Sequence, residues 1–144
     1  MKTKLFLLLS IIALLISCAD SKPEEAKIFD LKMIETIAIH DEVMPKMGKI
    51  NQLLSQLETQ MDSTNVDKIK PVKEDLKTGH DKMMAWMKSF GDEFSTTEIN
   101  QGIQLKDEDS LKQRLEALDK SYDDAEDMRN HLQEAIQKAE ALVK

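Results

Sequence analysis

Turn-forming residues are scarce in this sequence, with four glycines and three prolines in 144 residues. A many-stranded sandwich or barrel reverses direction every few residues, and too few suitable residues are present to do so. A single cysteine, Cys18, excludes a disulfide framework and any thiolate-based zinc site. Positive charge is also short, with 20 Lys and Arg against 27 Asp and Glu and a net charge of −7. Affinity for a polyphosphate rests on clustered Lys and Arg, so nucleic acid is not an expected partner. The G-x-S-x-G, Walker and H-E-x-x-H patterns are absent, as is the Glu-x-x-His pair of di-iron bundles. No enzymatic activity is therefore expected. What is plentiful is Leu, Met, Lys, Glu, Gln and Ala, and these residues favour helix. The expected fold class is all-α, and the length suits one domain.

The first 17 residues read as an address. Lys2 and Lys4 precede a 12-residue apolar run, Leu5 to Ile16, broken only by Ser10. That run is too short to span a bilayer and has the form of a signal peptide. Leu15-Ile16-Ser17-Cys18 looks like a lipobox, which makes Cys18 the expected lipidation site and the new N-terminus. Several acyl chains, at about 0.8 kcal/mol per buried CH2, hold a protein on a membrane stably. The expected location is the cell envelope, facing the periplasm, with the outer membrane favoured. Loss of residues 1–17 leaves 127 residues and removes two lysines, which takes the net charge to −9. Residues 18–26 comprise Cys18 and the polar stretch ADSKPEEA, expected to be a flexible tether. Residues 27–144 are the expected folded domain, standing off a bilayer whose anionic headgroups would repel it.

From Ile28, apolar residues recur at steps of three and four: Leu31, Ile34, Ile37, Met44, Met47, Leu54, Leu57 and Met61. This spacing predicts an amphipathic helix of about nine turns, kinked or divided by Pro45. Residues 62–65 read as a turn, with Thr64 and Asp67 placed for a capping box. A second helix, starting there or at Pro71, carries Val66, Ile69, Val72, Leu76, Met83, Met84, Met87 and Phe90, and ends near Gly91. Residues 92–107, which contain Gly102 and the Ser95-Thr96-Thr97-Glu98 cluster, have no clean period and read as a long connection with room for one helical turn. The third helix repeats every seven residues through Leu111, Leu115, Leu118, Tyr122, Ala125, Leu132, Ile136, Ala139 and Val143, with Asp109 or Ser110 as N-cap. The expected architecture is an antiparallel helical hairpin with the third long helix packed across its seam. That is a three-helix up-down bundle, with four helices if Pro45 divides the first. A longer coiled coil formed with a partner chain is the alternative.

One motif occurs twice, 40 residues apart: His40-Asp41-Glu42-Val43-Met44-Pro45-Lys46-Met47 and His80-Asp81-Lys82-Met83-Met84-Ala85-Trp86-Met87. Both read H-D-x-x-M-x-x-M. Positions i, i+4 and i+7 fall within an arc of about 60° on a helix. Each motif then points one imidazole and two thioethers the same way, and both sets are expected at the seam. A hairpin turning near residue 64 sets residues whose numbers sum to about 128 opposite one another, so His40 lies near Met87 and Met47 near His80. Gly79 would let the two chains approach there. Imidazole and thioether together suit a soft monovalent ion, Cu(I) or Ag(I), while Zn(II) and Fe favour thiolates, carboxylates or more His. The candidate ligands are His40, Met44, Met47, His80, Met84 and Met87, with Trp86 as a cation–π cap and the Asp after each His as a weak orienting partner. Methionine at helical spacing is equally the adaptable filler of a core, and these residues then form packing in a structural or interaction module. Haem b held by a His and a Met is disfavoured by the few aromatic residues, and covalent haem is excluded without C-x-x-C-H. His131, near Met128, reads as surface. The acidic stretches 107–109 and 122–127 lack a calcium-loop pattern and read as solvated helix.

The stretches Ile39 to Gly48 and His80 to Phe90, with the segment Glu134 to Glu140, resemble small helical lipoproteins of Bacteroidota. Their function is unassigned, and some carry the label "viral A-type inclusion protein". The resemblance covers most of the mature chain and implies a helical fold and anchoring in the envelope. It carries over no catalytic or binding residue.

Overall fold

The computed structural model describes residues 22–143 of the chain, which form five helices and no strand: α1 (Glu24–Val43), α2 (Lys46–Gln60), α3 (Val66–Glu93), α4 (Thr96–Gln101) and α5 (Glu108–Leu142). Cys18 and the apolar leader lie outside the described residues. None of these helices is long and apolar enough to cross a membrane.

The seven-residue repeat of α5 organises the bundle. Leu111, Leu118, Ala125, Leu132 and Ala139 recur every seventh residue and are at most 1% exposed. Met128 and Ala135 widen this stripe enough to receive helices on two sides. Ion pairs and hydrogen bonds fix the directions. Lys32 pairs with Asp119, Glu42 accepts from Gln133, and Lys49 pairs with Glu140, so α1 and α2 run parallel to α5. Lys138 pairs with Asp75, Lys82 with Asp127 and Arg114 with Glu93, so α3 runs antiparallel to it. The result is the expected up-down-up arrangement. Both α1 and α3 pack mainly on α5, and they meet each other chiefly through side chains.

Pro45 divides the first helix, as its missing N–H requires. Met44 still donates to the His40 carbonyl at 2.8 Å, and Met44 and Pro45 both stay in the right-handed helical region, so the chain bends without leaving helical geometry. At the hairpin, the expected Thr64–Asp67 capping box does not form. Asp62 accepts instead from the Thr64 backbone N–H at 2.7 Å and its hydroxyl at 2.6 Å, and α3 starts after Asn65. The helix thus takes Asn65 as its N-cap, one residue past Thr64, so the Thr64 oxygen is not placed to accept from the N–H of Asp67. A capping box does close at Ser95 and Glu98, the start of α4. The N-cap of α5 is Asp107, which accepts from Ser110 N–H at 2.9 Å, rather than Asp109 or Ser110.

Two further corrections concern α1. Its buried face is Ala26, Phe29, Met33, Thr36, Ile39 and Val43, whereas Leu31 and Ile34, expected in the core, are 63% and 65% exposed. Two apolar stripes run along this helix, and the one holding Phe29 and Met33 wins the contact with α5. The polar tether is also shorter than expected. Helix begins at Glu24, Ala26 is fully buried, and Lys22 pairs with Asp30. Asp30 accepts in turn from Ile103 N–H at 2.9 Å, beside Gly102 at φ +77°, where a Cβ would meet the carboxylate.

At the opposite side of that connection, Arg114 of α5 donates to Glu98 at 2.9 Å, to Glu93 and to the Glu93 carbonyl, and lies 4.8 Å over the Phe94 ring. One guanidinium thus fastens the end of α3 and the start of α4 to α5. Burial pulls the Glu98 carboxyl upward, but hydrogen bonds from Ser95 and Arg114 outweigh it and hold the group below the ordinary Glu range.

Two outcomes follow. Glu98 is held low, so its contribution is complete above about pH 4.3, the unfolded value, and is lost as pH falls through the folded one. Glu98→Gln should flatten the acid limb of a denaturant-midpoint series between about pH 5 and 3. In helix packing, a Cβ on Gly79 would fall 2.6 Å from Leu132 Cδ2, in a fully buried side chain, whereas one on Gly91 meets nothing within 4 Å. Gly79→Ala should therefore destabilise by about 1–3 kcal/mol, and Gly91→Ala should stabilise by up to about 1 kcal/mol, both read by denaturant titration.

Candidate metal centre

His40 closes the last full turn of α1 before the bend, and its imidazole lies against α3. The ring stacks on Trp86, with centroids 5.9 Å apart and planes at 27°. Trp86 is 6% exposed and donates from its indole N–H to the Ser121 carbonyl at 2.9 Å, which fixes it on α5. Behind it, Phe90 stacks at 4.9 Å, and Phe94 and Phe29 follow in tilted contacts, Phe94 on Phe90 at 5.0 Å and Phe29 on Phe94 at 6.2 Å. These rings fill the space where the α1 and α3 backbones do not touch. His40 is the last ring of the series and the only one with a nitrogen lone pair.

His40 Nδ1 lies 3.0 Å from an Asp41 carboxylate oxygen, and because a carboxylate only accepts, Nδ1 is the donor of this contact and Nε2 is the nitrogen left outside it. The same contact recurs in the second motif, His80 Nδ1 to Asp81 at 3.4 Å. Adjacent residues on a helix were expected to make this contact poorly, and it is present twice. A carboxylate on Nδ1 is the usual way a metal-ligating imidazole is oriented and made more basic.

A cleft of 140 Å³ opens beside His40, lined by Ile37, His40, Trp86, Met87, Phe90 and Gly91. Trp86 stands opposite His40, one residue from the expected Met87, and Met87 lines the same cleft. Met44 lies one turn beyond His40 in sequence and is 47% exposed. The other candidates do not join this cleft. His80 lies six residues from Trp86, about 9 Å along α3 by helical rise, and its side chain is 42% exposed. Met84 is 52% exposed, and Met47 is partly buried against the core. The two motifs are therefore displaced along the bundle rather than gathered around one ion.

Neither motif faces the seam squarely. The centre of the α3 seam is Leu76, Gly79, Met83, Trp86 and Phe90, and Met84 and Met87 sit on its flank, Met87 being 37% exposed. Gly79 permits a close approach as expected, but to Leu132 of α5 rather than to α1. His131, expected at the surface, is half-buried and donates from Nε2 to the Asp75 carbonyl at 3.1 Å. Its position next to Gly79 on the α3–α5 seam depended on a register that helix periodicity alone does not supply. Among the described residues, no three His, Cys, Asp or Glu side chains form a metal-holding group. Any ion bound at this cleft must therefore draw on thioethers.

No family model matches the chain, and neither the curated proteins nor the solved structures include one similar to it.

The neighbouring methionines of α3 separate packing from ligation. Met83 is fully buried and Met84 is half-exposed. Met83→Ala should cost about 2–5 kcal/mol, while Met84→Ala should stay within about 0.5 kcal/mol of wild type; urea unfolding of the two variants checks the contrast.

Proposed function

We propose that this chain is a lipid-anchored envelope protein that faces the periplasm, binds rather than catalyses, and takes a soft monovalent ion, Cu(I) or Ag(I), at the His40 cleft. The observation that supports metal binding is the His40 imidazole itself. It is oriented by Asp41, backed by Trp86 and lines one cleft together with Met87. Neutral imidazole and thioether ligands bring no negative charge, which suits a soft ion of low charge. The indole face adds cation–π attraction for the same ion. Met44 is the candidate third ligand, one turn from His40. Three of the four candidate thioethers, on Met44, Met84 and Met87, are exposed, so core packing does not account for them. Cys18 as the lipidated residue, and the compartment it implies, rest on the leader and the lipobox alone.

A second reading is favoured by a different observation. Leu31 and Ile34 leave an apolar face of α1 uncovered, as expected of a helical module with a docking partner and no metal.

The two readings separate in one titration. The mature protein in detergent is titrated with Cu(I), anaerobically and with reductant, against a chromophoric competitor, with Trp86 emission followed in parallel. Wild type should take Cu(I) at a defined stoichiometry with quenching of Trp86. His40→Leu should lose both the quenching and the uptake, whereas His80→Leu, outside the cleft, should keep both. Uptake and emission identical in all three proteins would remove the metal reading in favour of the docking module.

A further inference from the structure

The apolar face of α1 that no other element covers lies at the end of the bundle nearest Cys18. Ile28, Leu31 and Ile34 are 45%, 63% and 65% exposed, and Ala38 extends the same face. At 100° per residue, these four positions lie within an arc of about 120°. Three large aliphatic side chains held open to solvent on one helix are costly for an isolated domain and indicate an apolar occupant.

The distance to the lipid attachment point identifies that occupant. Lys22 is held to Asp30, and Asp30 is held to Ile103, so the chain is fastened to the bundle from residue 22 onward. Only residues 19–21 separate this fastening from Cys18. Four steps of backbone reach about 14 Å at most. An acylated Cys18 therefore keeps residue 22, two residues before α1, within about 14 Å of the headgroup region, and the effective concentration of bilayer at Ile28 and Leu31 is high without any further affinity.

We infer that α1 lies along the bilayer, with Ile28, Leu31 and Ile34 set into the headgroup region, so that the bundle reclines on the membrane instead of standing off it. This inference rests on the lipid anchor of the proposed function. The charges along the face choose the lipid. Lys27 is paired with Glu24 at 3.0 Å, and Glu35 is exposed beside Leu31 and Ile34, so the face carries no net positive charge to attract anionic lipid. Zwitterionic headgroups are its partner, and anionic ones weaken the contact.

The test uses the full chain, processed and purified in detergent. Its mass is measured first: a product without acyl groups on Cys18 removes the anchor itself, independently of the orientation. The acylated protein is then reconstituted in vesicles of phosphatidylcholine containing brominated chains, with an environment-sensitive fluorophore on Ala38→Cys, or on Glu116→Cys on the exposed side of α5. Lipid bromines should quench the label at 38 at least twofold more than the label at 116. A further Leu31→Glu/Ile34→Glu change, at two exposed positions, should abolish the difference, and replacing a third of the lipid with phosphatidylglycerol should reduce it. Equal quenching at 38 and 116 would overturn the inference. So would a label at 38 shielded from aqueous iodide but untouched by bromines, since a second copy of the chain would then cover the face.

Discussion

Among the described residues, the two longest partners, α1 and α3, are both seated on α5. Five positions spaced seven apart, Leu111 to Ala139, present an unbroken apolar edge along its length, with Met128 and Ala135 beside it. Two of the five are alanines, and Gly79 of α3 lies against Leu132, so the partner helices come close where side chains are small. That closeness dictates the rest. With α1 and α3 each seated on α5, their own backbones are held apart, and the space between them must be filled by large side chains.

Aromatic rings fill it. Phe29, Phe94, Phe90 and Trp86 contact one another in series, and Arg114 lies over Phe94 while gripping Glu93 and Glu98. In a chain with so few aromatic residues, placing the only tryptophan and three of the four phenylalanines in one series is a large commitment. The series ends in the imidazole of His40, whose other edge is held by Asp41. Core packing on one side and a carboxylate on the other fix the ring before any ligand arrives, which is the condition for a binding site with little to reorganise.

The architecture was legible where one apolar stripe stood alone. Along α5, charged residues occupy the positions outside the repeat, so its phase had one solution. Along α1, Ile28, Leu31 and Ile34 compete with Phe29, Met33 and Thr36, and periodicity cannot rank two stripes that both satisfy it. Contact with α5 made that choice, and Leu31 and Ile34 were misplaced as a result. The histidine and methionine motif failed in a similar way. The spacing correctly set each trio on one arc of its helix, but the arc is the flank of the seam, because Met83, Trp86 and Phe90 already occupy its centre. The hairpin register was nevertheless right to about one residue, with Trp86 opposite His40 where Met87 was expected. Caps divided by side-chain length. Ser95 and Glu98 form a reciprocal pair, since Glu reaches back to the N-cap amide, whereas Asp67 has a shorter side chain and α3 takes Asn65 rather than Thr64 as its N-cap.

The chain uses methionine in two distinct ways, and the difference bears on what it does. Met33, Met83 and Met128 are buried as flexible fillers, while Met44, Met84 and Met87 are held at the surface, where a thioether adds nothing to the core. On α1, the ring of His40 and the aliphatic face at Leu31 are nine residues apart, which is half a rotation of a helix, about 180°. A bilayer beneath Leu31 and Ile34 would therefore lie on the opposite side of α1 from the imidazole and from the α3 flank that carries Met87. The proposed membrane contact and the proposed soft-ion site make no competing claims on this helix. Its two apolar stripes, which make its sequence ambiguous to read, allow one face to pack on α5 and carry His40 while the other remains free for lipid.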